Sequence, residues 1–97
     1  MSYLLEVSDA ADKEIEIAFF CYEAEQENLG IRFLNCLDET ISLITEFPYS
    51  YPVKVRNYHE CYMGIFPFVI SYQIEGKKIL IHSVFHTSRN PKRKKVK

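Results

Sequence analysis

The stretch Phe68-Val69-Ile70-Ser71-Tyr72-Gln73-Ile74, then Glu75-Gly76-Lys77, then Lys78-Ile79-Leu80-Ile81-His82-Ser83-Val84-Phe85-His86 decides the fold. Both outer runs are rich in β-branched and aromatic residues, and the glycine between them supplies a tight turn. A β-hairpin is therefore expected, with strands over 68–74 and 78–86. Upstream, Val53 and Val55 alternate with Lys54 and Arg56. That alternation predicts a half-buried strand whose two basic side chains share the outward face. Downstream, Arg89-Asn90-Pro91-Lys92-Arg93-Lys94-Lys95-Val96-Lys97 holds too many like charges to pack and is expected to fray.

The first half has a different period. Ser2–Val7 is β-prone and too short for a helix, so it is expected to form a first strand. Ser8-Asp9 supplies a helix N-cap, and Asp12 puts a carboxylate in the first turn, where the helix dipole favours it. Ala11, Ile15, Ala18 and Tyr22 then recur as one apolar stripe of a helix running to about Gln26. Asn28-Leu29-Gly30 breaks it, with asparagine or glycine taking a left-handed conformation. A second stripe of Phe33, Leu37, Ile41 and Ile44 predicts another helix, stopped by Pro48. The order β-α-α-β-β-β gives an α+β class, an αα-hairpin packed on one face of an antiparallel sheet. The expected layout is a single domain over residues 1–91 with a basic C-terminal tail over 92–97.

Ninety-seven residues, 47% apolar and 26% charged, suit one globular core rather than two. No apolar run approaches the ~18 residues of a membrane-spanning helix, and the N-terminus lacks the layout of a signal peptide. A cytoplasmic protein with no membrane association is expected. Cys21, Cys36 and Cys61 are odd in number and widely spaced, which suggests buried reduced thiols and neither a metal site nor a cofactor. The net charge of −1 hides a division. Residues 1–47 hold two cations against eleven acids, a net of −9, and residues 48–97 hold ten cations against two acids, a net of +8. The helices should then carry an acidic surface and the uncovered sheet face a basic one, suited to a polyanion or an acidic protein.

Three motifs in this order resemble a known family. Val55-Arg56 followed by Phe66-Pro67-Phe68-Val69-Ile70-Ser71-Tyr72 resembles the "R…FPY.I.Y" signature of the RelE/ParE toxin superfamily. Ile81-His82-Ser83-Val84-Phe85-His86-Thr87-Ser88-Arg89-Asn90-Pro91 is similar to its closing "I.V.H..R.P". The two helices, ending in Phe47-Pro48, complete a resemblance over residues 3–92. It implies a bacterial toxin of a type II toxin–antitoxin, plasmid-stabilisation system, bound by a cognate antitoxin. ParE-like members poison DNA gyrase, and RelE-like members are metal-independent endoribonucleases that cut messenger RNA in the ribosomal A site. By position, Arg56 and Arg89 match arginines of the family, and Lys54 would help hold a message. RelE-like nucleases keep a tyrosine or histidine near the C-terminus, whereas this chain has only Lys92, Arg93, Lys94, Lys95, Val96 and Lys97 after Pro91. That departure tilts the resemblance toward a ParE-like binder rather than an enzyme.

If the chain is a ribonuclease, His86, Arg56 and Arg89 are its catalytic candidates. Histidine can exchange a proton near neutrality, and paired arginines can hold a phosphate. The plain alternative for His86 is a strand-end histidine bonded to the backbone. Lys54, Arg56, Arg89, Lys92 and Arg93 are the candidates for binding nucleic acid or another target. His82, four residues before His86, should share its sheet face and could line one pocket with it. His59 falls in a turn-like Asn57-Tyr58-His59-Glu60 segment and should be solvated. Tyr49, Tyr51, Tyr58 and Tyr62 could stack bases, though packing is the commoner role. Some of these rings would form the groove an antitoxin covers. A homodimer of the free chain is an open alternative.

Overall fold

The computed structural model describes residues 3–87. Strand β1 (Leu4–Val7) leads into helix α1 (Asp9–Glu25) and helix α2 (Leu29–Glu46). A 3₁₀ turn at Val55–Asn57 precedes β2 (His59–Tyr62), and the hairpin of β3 (Phe68–Glu75) and β4 (Lys78–His86) follows. The four strands lie in the order β1-β4-β3-β2. The sheet is antiparallel through β2, β3 and β4, and β1 runs parallel to β4, with Leu4 opposite Lys78 and Val7 opposite Ile81. The β-α-α-β-β-β order and the helical hairpin packed on the sheet are as the periodicities predict.

The two helical stripes become the core. Ala11, Ala18, Phe33, Leu37 and Ile44 are buried with Phe68, Ile70, Tyr72, Ile79, Ile81 and Val84 from the sheet. At one end, Tyr22, Phe33, Phe66 and Phe68 meet mostly edge to face, with centroids 5.1 to 5.5 Å apart across the neighbouring helix and sheet rings. Such contacts add about 0.5–1.5 kcal/mol per pair beyond the area they bury. The helix–helix corner is built as tightly. Asn28 takes the left-handed conformation (φ 71°). The Glu23 carboxylate accepts from the Asn28 and Gly30 N–H groups, both at 2.9 Å, so it neutralises the start of α2. A Cβ on Gly30 would sit 2.7 Å from the Phe19 carbonyl oxygen. No larger residue fits there without moving α1 away.

One expected element is displaced. Residues 53–56 do not form a strand: Val53 makes an isolated bridge to His59, and Lys54 and Arg56 are exposed in the loop and 3₁₀ turn. Arg56 and Asn57 are consecutive left-handed residues (φ 57° and 67°), which no strand accommodates. The strand begins instead at His59, which is buried rather than solvated. Its ring stacks on Tyr72, 5.0 Å between centroids, and its Nδ1–H donates to the Tyr51 carbonyl at 2.8 Å. Val53-Lys54-Val55-Arg56 thus alternates like a strand yet lies just outside the sheet.

Helix α1 is fastened to β4 where that strand is irregular. The register slips between Ser71 and Tyr72, which pair with Ser83 and Ile81 and leave His82 as an extra residue. At this bulge the Ser8 hydroxyl donates to the His82 carbonyl at 2.9 Å and accepts from the Ala11 N–H at 3.0 Å. Further along α1, Glu14 accepts from the Val84 N–H at 2.8 Å and from the Ser83 hydroxyl at 3.0 and 3.2 Å. Glu14→Ala strands those donors and should cost about 2 kcal/mol. That corresponds to a fall in Tm of roughly 10 °C for a chain of this size. An unchanged melting curve would show that the Glu14 contact carries no stability.

Candidate functional site

The bulge decides which side chains share a face. In β3, Phe68, Ile70 and Tyr72 point into the core, so Val69, Ser71 and Gln73 point to the helix-free face. Glu60 and Ser83 pair with Ser71 in one cross-strand row on that face. His82 joins them, its ring stacked on Tyr58 with centroids 4.6 Å apart and planes 29° apart. His86 does not. Its ring meets the edge of the core residue Phe68 at 5.2 Å, on the opposite side of the sheet. The expectation that His82 and His86 share a face therefore fails, because a bulge inserts one residue and reverses the alternation beyond it, although both residues line one groove.

A groove of about 990 Å³ joins the two sides around the edge of β4. Its walls include Ile17, Cys21 and Glu25 of α1 with Glu14, the outward Tyr58, Glu60, Ser71 and His82, and Phe85 and His86 near the end of β4. The charged side chains among these described lining residues are the carboxylates of Glu14, Glu25 and Glu60. That reverses the expected electrostatics. Across β2, β3 and β4 the one lysine or arginine is Lys78, which bonds Glu6 at 3.1 Å. The other cations of the described sheet half lie at its margins, in the 54–56 loop and at the hairpin turn.

The candidates from sequence accordingly do not converge. Lys54 is exposed in a loop whose turn is closed by its own N–H to the Tyr58 carbonyl at 2.7 Å. Arg56 is exposed nearby, with its carbonyl 3.5 Å from the Gln73 side-chain nitrogen. His86 lies on the other side of the sheet. Arg89, Lys92 and Arg93 lie outside the described residues. The residues brought together instead are Tyr58, Glu60, Ser71, His82 and Ser83. Of these, Tyr58 and His82 were legible as chemical types, but their stacking depends on the bulge. Among the described residues no group of three or more His, Cys, Asp or Glu side chains is placed to hold a metal ion. None of the described helices is long and apolar enough to cross a membrane.

Behind β2 lies a buried polar cluster with a structural part. The Tyr72 hydroxyl donates to the Pro48 carbonyl at 2.6 Å, tying the end of α2 to the sheet. Burial, with Cys61 and Tyr51 nearby, raises the Tyr72 pKa, so the hydroxyl remains a donor. Burial likewise pushes the Cys61 thiol up, with a hydrogen bond from Tyr51 pulling the other way. The expectation of uniformly buried thiols holds for Cys61, while Cys36 is half-buried and Cys21 is exposed on the groove side of α1. Iodoacetamide at pH 8 should therefore label Cys21 within the folded protein and leave Cys61 unmodified until denaturant is added. Mass mapping that found Cys61 labelled first would contradict the packing of β2.

Comparison with known proteins places this geometry. Residues 5–91 match the family model described as the ParE toxin of the type II toxin-antitoxin system, parDE. The chain belongs to the ParE toxin family. Its fold is shared by a solved chromosomal ParDE toxin–antitoxin system from P. aeruginosa, with a TM-score of 0.78 at 13% identity over 88% of this chain and 96% of that one. The E. coli DinJ–YafQ toxin–antitoxin complex also matches, with a TM-score of 0.62 at 12% identity over 91% and 96% of the two chains. Among curated protein sequences none matches. The superfamily resemblance carried by Arg56, Phe66-Pro67-Phe68 and Ile81–Pro91 is thus the correct one.

Proposed function

We propose that this chain is the toxin of a type II toxin–antitoxin pair, held inactive by a cognate antitoxin and acting, once free, by binding DNA gyrase. Plasmid stabilisation is the role such a pair would serve. The single observation that carries the binding mode is the separation of His86 from Arg56. RNA cleavage needs a base, an acid and positive charge around one phosphate. His86 packs on Phe68 at the helix side of the sheet, and Arg56 is exposed in the turn before β2. A binder has no such requirement, because its contacts can be spread over a face. Pulse labelling minutes after induction in a bacterial host tests the target. DNA synthesis should fail first while translation continues, and an early collapse of translation would overturn the gyrase reading.

The endoribonuclease reading keeps one observation of its own. Glu60 and His82 line the same groove beside the Tyr58 ring, so a carboxylate, an imidazole and a stacking surface lie together there. Glu60→Gln with His82→Ala separates the two readings. A nuclease using these groups would lose about 10²-fold or more in cleavage rate. A gyrase binder should keep its toxicity to within about ten-fold, the worth of one or two partly exposed contacts. Cleavage of ribosome-bound messenger RNA by the unaltered chain, lost in the double variant, would establish the nuclease.

A further inference from the structure

The helix-free face of the sheet carries no second layer of helix or strand among the described residues, yet two of its side chains are shut away from solvent. Val69 is 0% exposed and Ser71 6%, although both point away from the helices, and Val69 takes no part in the core cluster. Ser71 shares its groove with the Tyr58–His82 stack, which accounts for part of its burial. Val69 sits between Tyr62, which is exposed, and Phe85, which is half-buried, in one cross-strand row. Neighbours in a row flank a side chain that stands up from the sheet, and they leave its top open.

The chain leaves the sheet beside this spot. Thr87, the last described residue, donates its N–H to the Pro67 carbonyl at 2.9 Å, and Phe85, two residues earlier, lies opposite Val69. The sequence then runs Ser88-Arg89-Asn90-Pro91-Lys92-Arg93-Lys94-Lys95-Val96-Lys97. Asn90-Pro91 is a turn-initiating pair. A chain reversed there lays Lys92–Lys95 back across the Val69 and Ser71 rows, since four extended residues span roughly 13 Å. Charge points the same way. Residues 88–97 hold six Lys or Arg and no Asp or Glu. The face they would meet has Glu60 in the Ser71 row, and the charged side chains among the described lining residues of the groove are all carboxylates.

We propose that residues 88–97 fold back over the helix-free face of their own chain, cover Val69 and Ser71, and pair their cations with Glu60. The occupant is this chain's basic end, so the contact depends on neither the gyrase reading nor the antitoxin reading. It is apolar over Val69 and electrostatic at Glu60, and salt therefore loosens it. Tyr58, Glu60 and His82 line the groove together with Ser71, so a target that uses them meets the folded-back segment first. The same cations cannot hold Glu60 and an outside polyanion at once.

The test places a nitroxide on Val96→Cys, which keeps all six cations, in the full chain with Cys21→Ser and Cys36→Ser. Cys61 is buried and stays unlabelled. In low salt the label should broaden the amide signals of Glu60, Val69 and Ser71 and spare those of Ile31 and Arg32 in the helix layer. Salt at about 0.5 M, with a screening length of roughly 4 Å, should restore the broadened signals. Glu60→Lys should restore them at low salt, and its own spectrum reports whether it is folded. Sharp signals at all three positions in low salt would overturn the proposal. So would broadening indifferent to both salt and Glu60→Lys, which would leave Glu60 without a part in the contact. A mixture of spin-labelled, unenriched chain with unlabelled, isotope-enriched chain should show no broadening. Broadening in that mixture would give the face to the basic end of a second copy and overturn the assignment to the chain's own.

Discussion

The attachment of α1 to the irregular edge of β4 is the constraint on which the rest of this molecule depends. A two-layer α+β domain needs its helices held at a fixed angle and depth over the sheet, and apolar burial alone does not set either. Here the position is set by two side chains at the start of α1, six residues apart. Ser8 caps the helix and grips the His82 carbonyl, and Glu14 reaches the Val84 N–H and the Ser83 hydroxyl. Both act on the strand where the bulge turns its backbone toward the helix. The bulge that sends His82 outward also presents the groups that anchor α1, so the architecture and the candidate site share one local irregularity.

Much of the fold was legible because its elements carry simple periods. The stripe Ala11, Ile15, Ala18, Tyr22 and the stripe Phe33, Leu37, Ile41, Ile44 each fit one helical face, and Glu75-Gly76-Lys77 between two apolar runs admits little except a hairpin. The misplaced strand at 53–56 shows the limit of that reasoning. Alternation records which side chains could face inward, and says nothing of where the backbone turns. Arg56 and Asn57 adopt left-handed angles because the loop must swing from α2 to the sheet edge, a demand visible only once both ends are placed. His59 departs from the solvated position its type suggests for a related reason. Its polarity suggests solvent, yet the Tyr51 carbonyl and the Tyr72 ring satisfy it in the interior.

The candidate site was less legible than the fold. Its family motifs hold, but several of their residues secure the hairpin. Tyr72 of the "I.Y" pair lies wholly buried with its hydroxyl on Pro48. His86 of the closing motif packs against Phe68. A single bulge reassigns every outward side chain beyond it, and nothing in Ile81-His82-Ser83-Val84 announces one. The charge division was legible in sum and misleading in placement. The acids do lie mostly on the helices, while the cations of the second half gather at loops, the hairpin turn and the residues beyond Thr87.

The parallel pairing of β1 with β4 also orders how the chain can fold. Leu4–Val7 finds its hydrogen-bonding partners at Lys78–Ile81, across more than seventy residues of chain. The two hairpins, one of helices and one of strands, close through short loops and can form early, since local contacts carry a small entropic cost. The N-terminal strand must wait. During synthesis it leaves the ribosome before its partner strand and remains without its place in the sheet until residue 81 and its neighbours have followed. The four-stranded sheet therefore becomes complete only once residues 78–81 have been made.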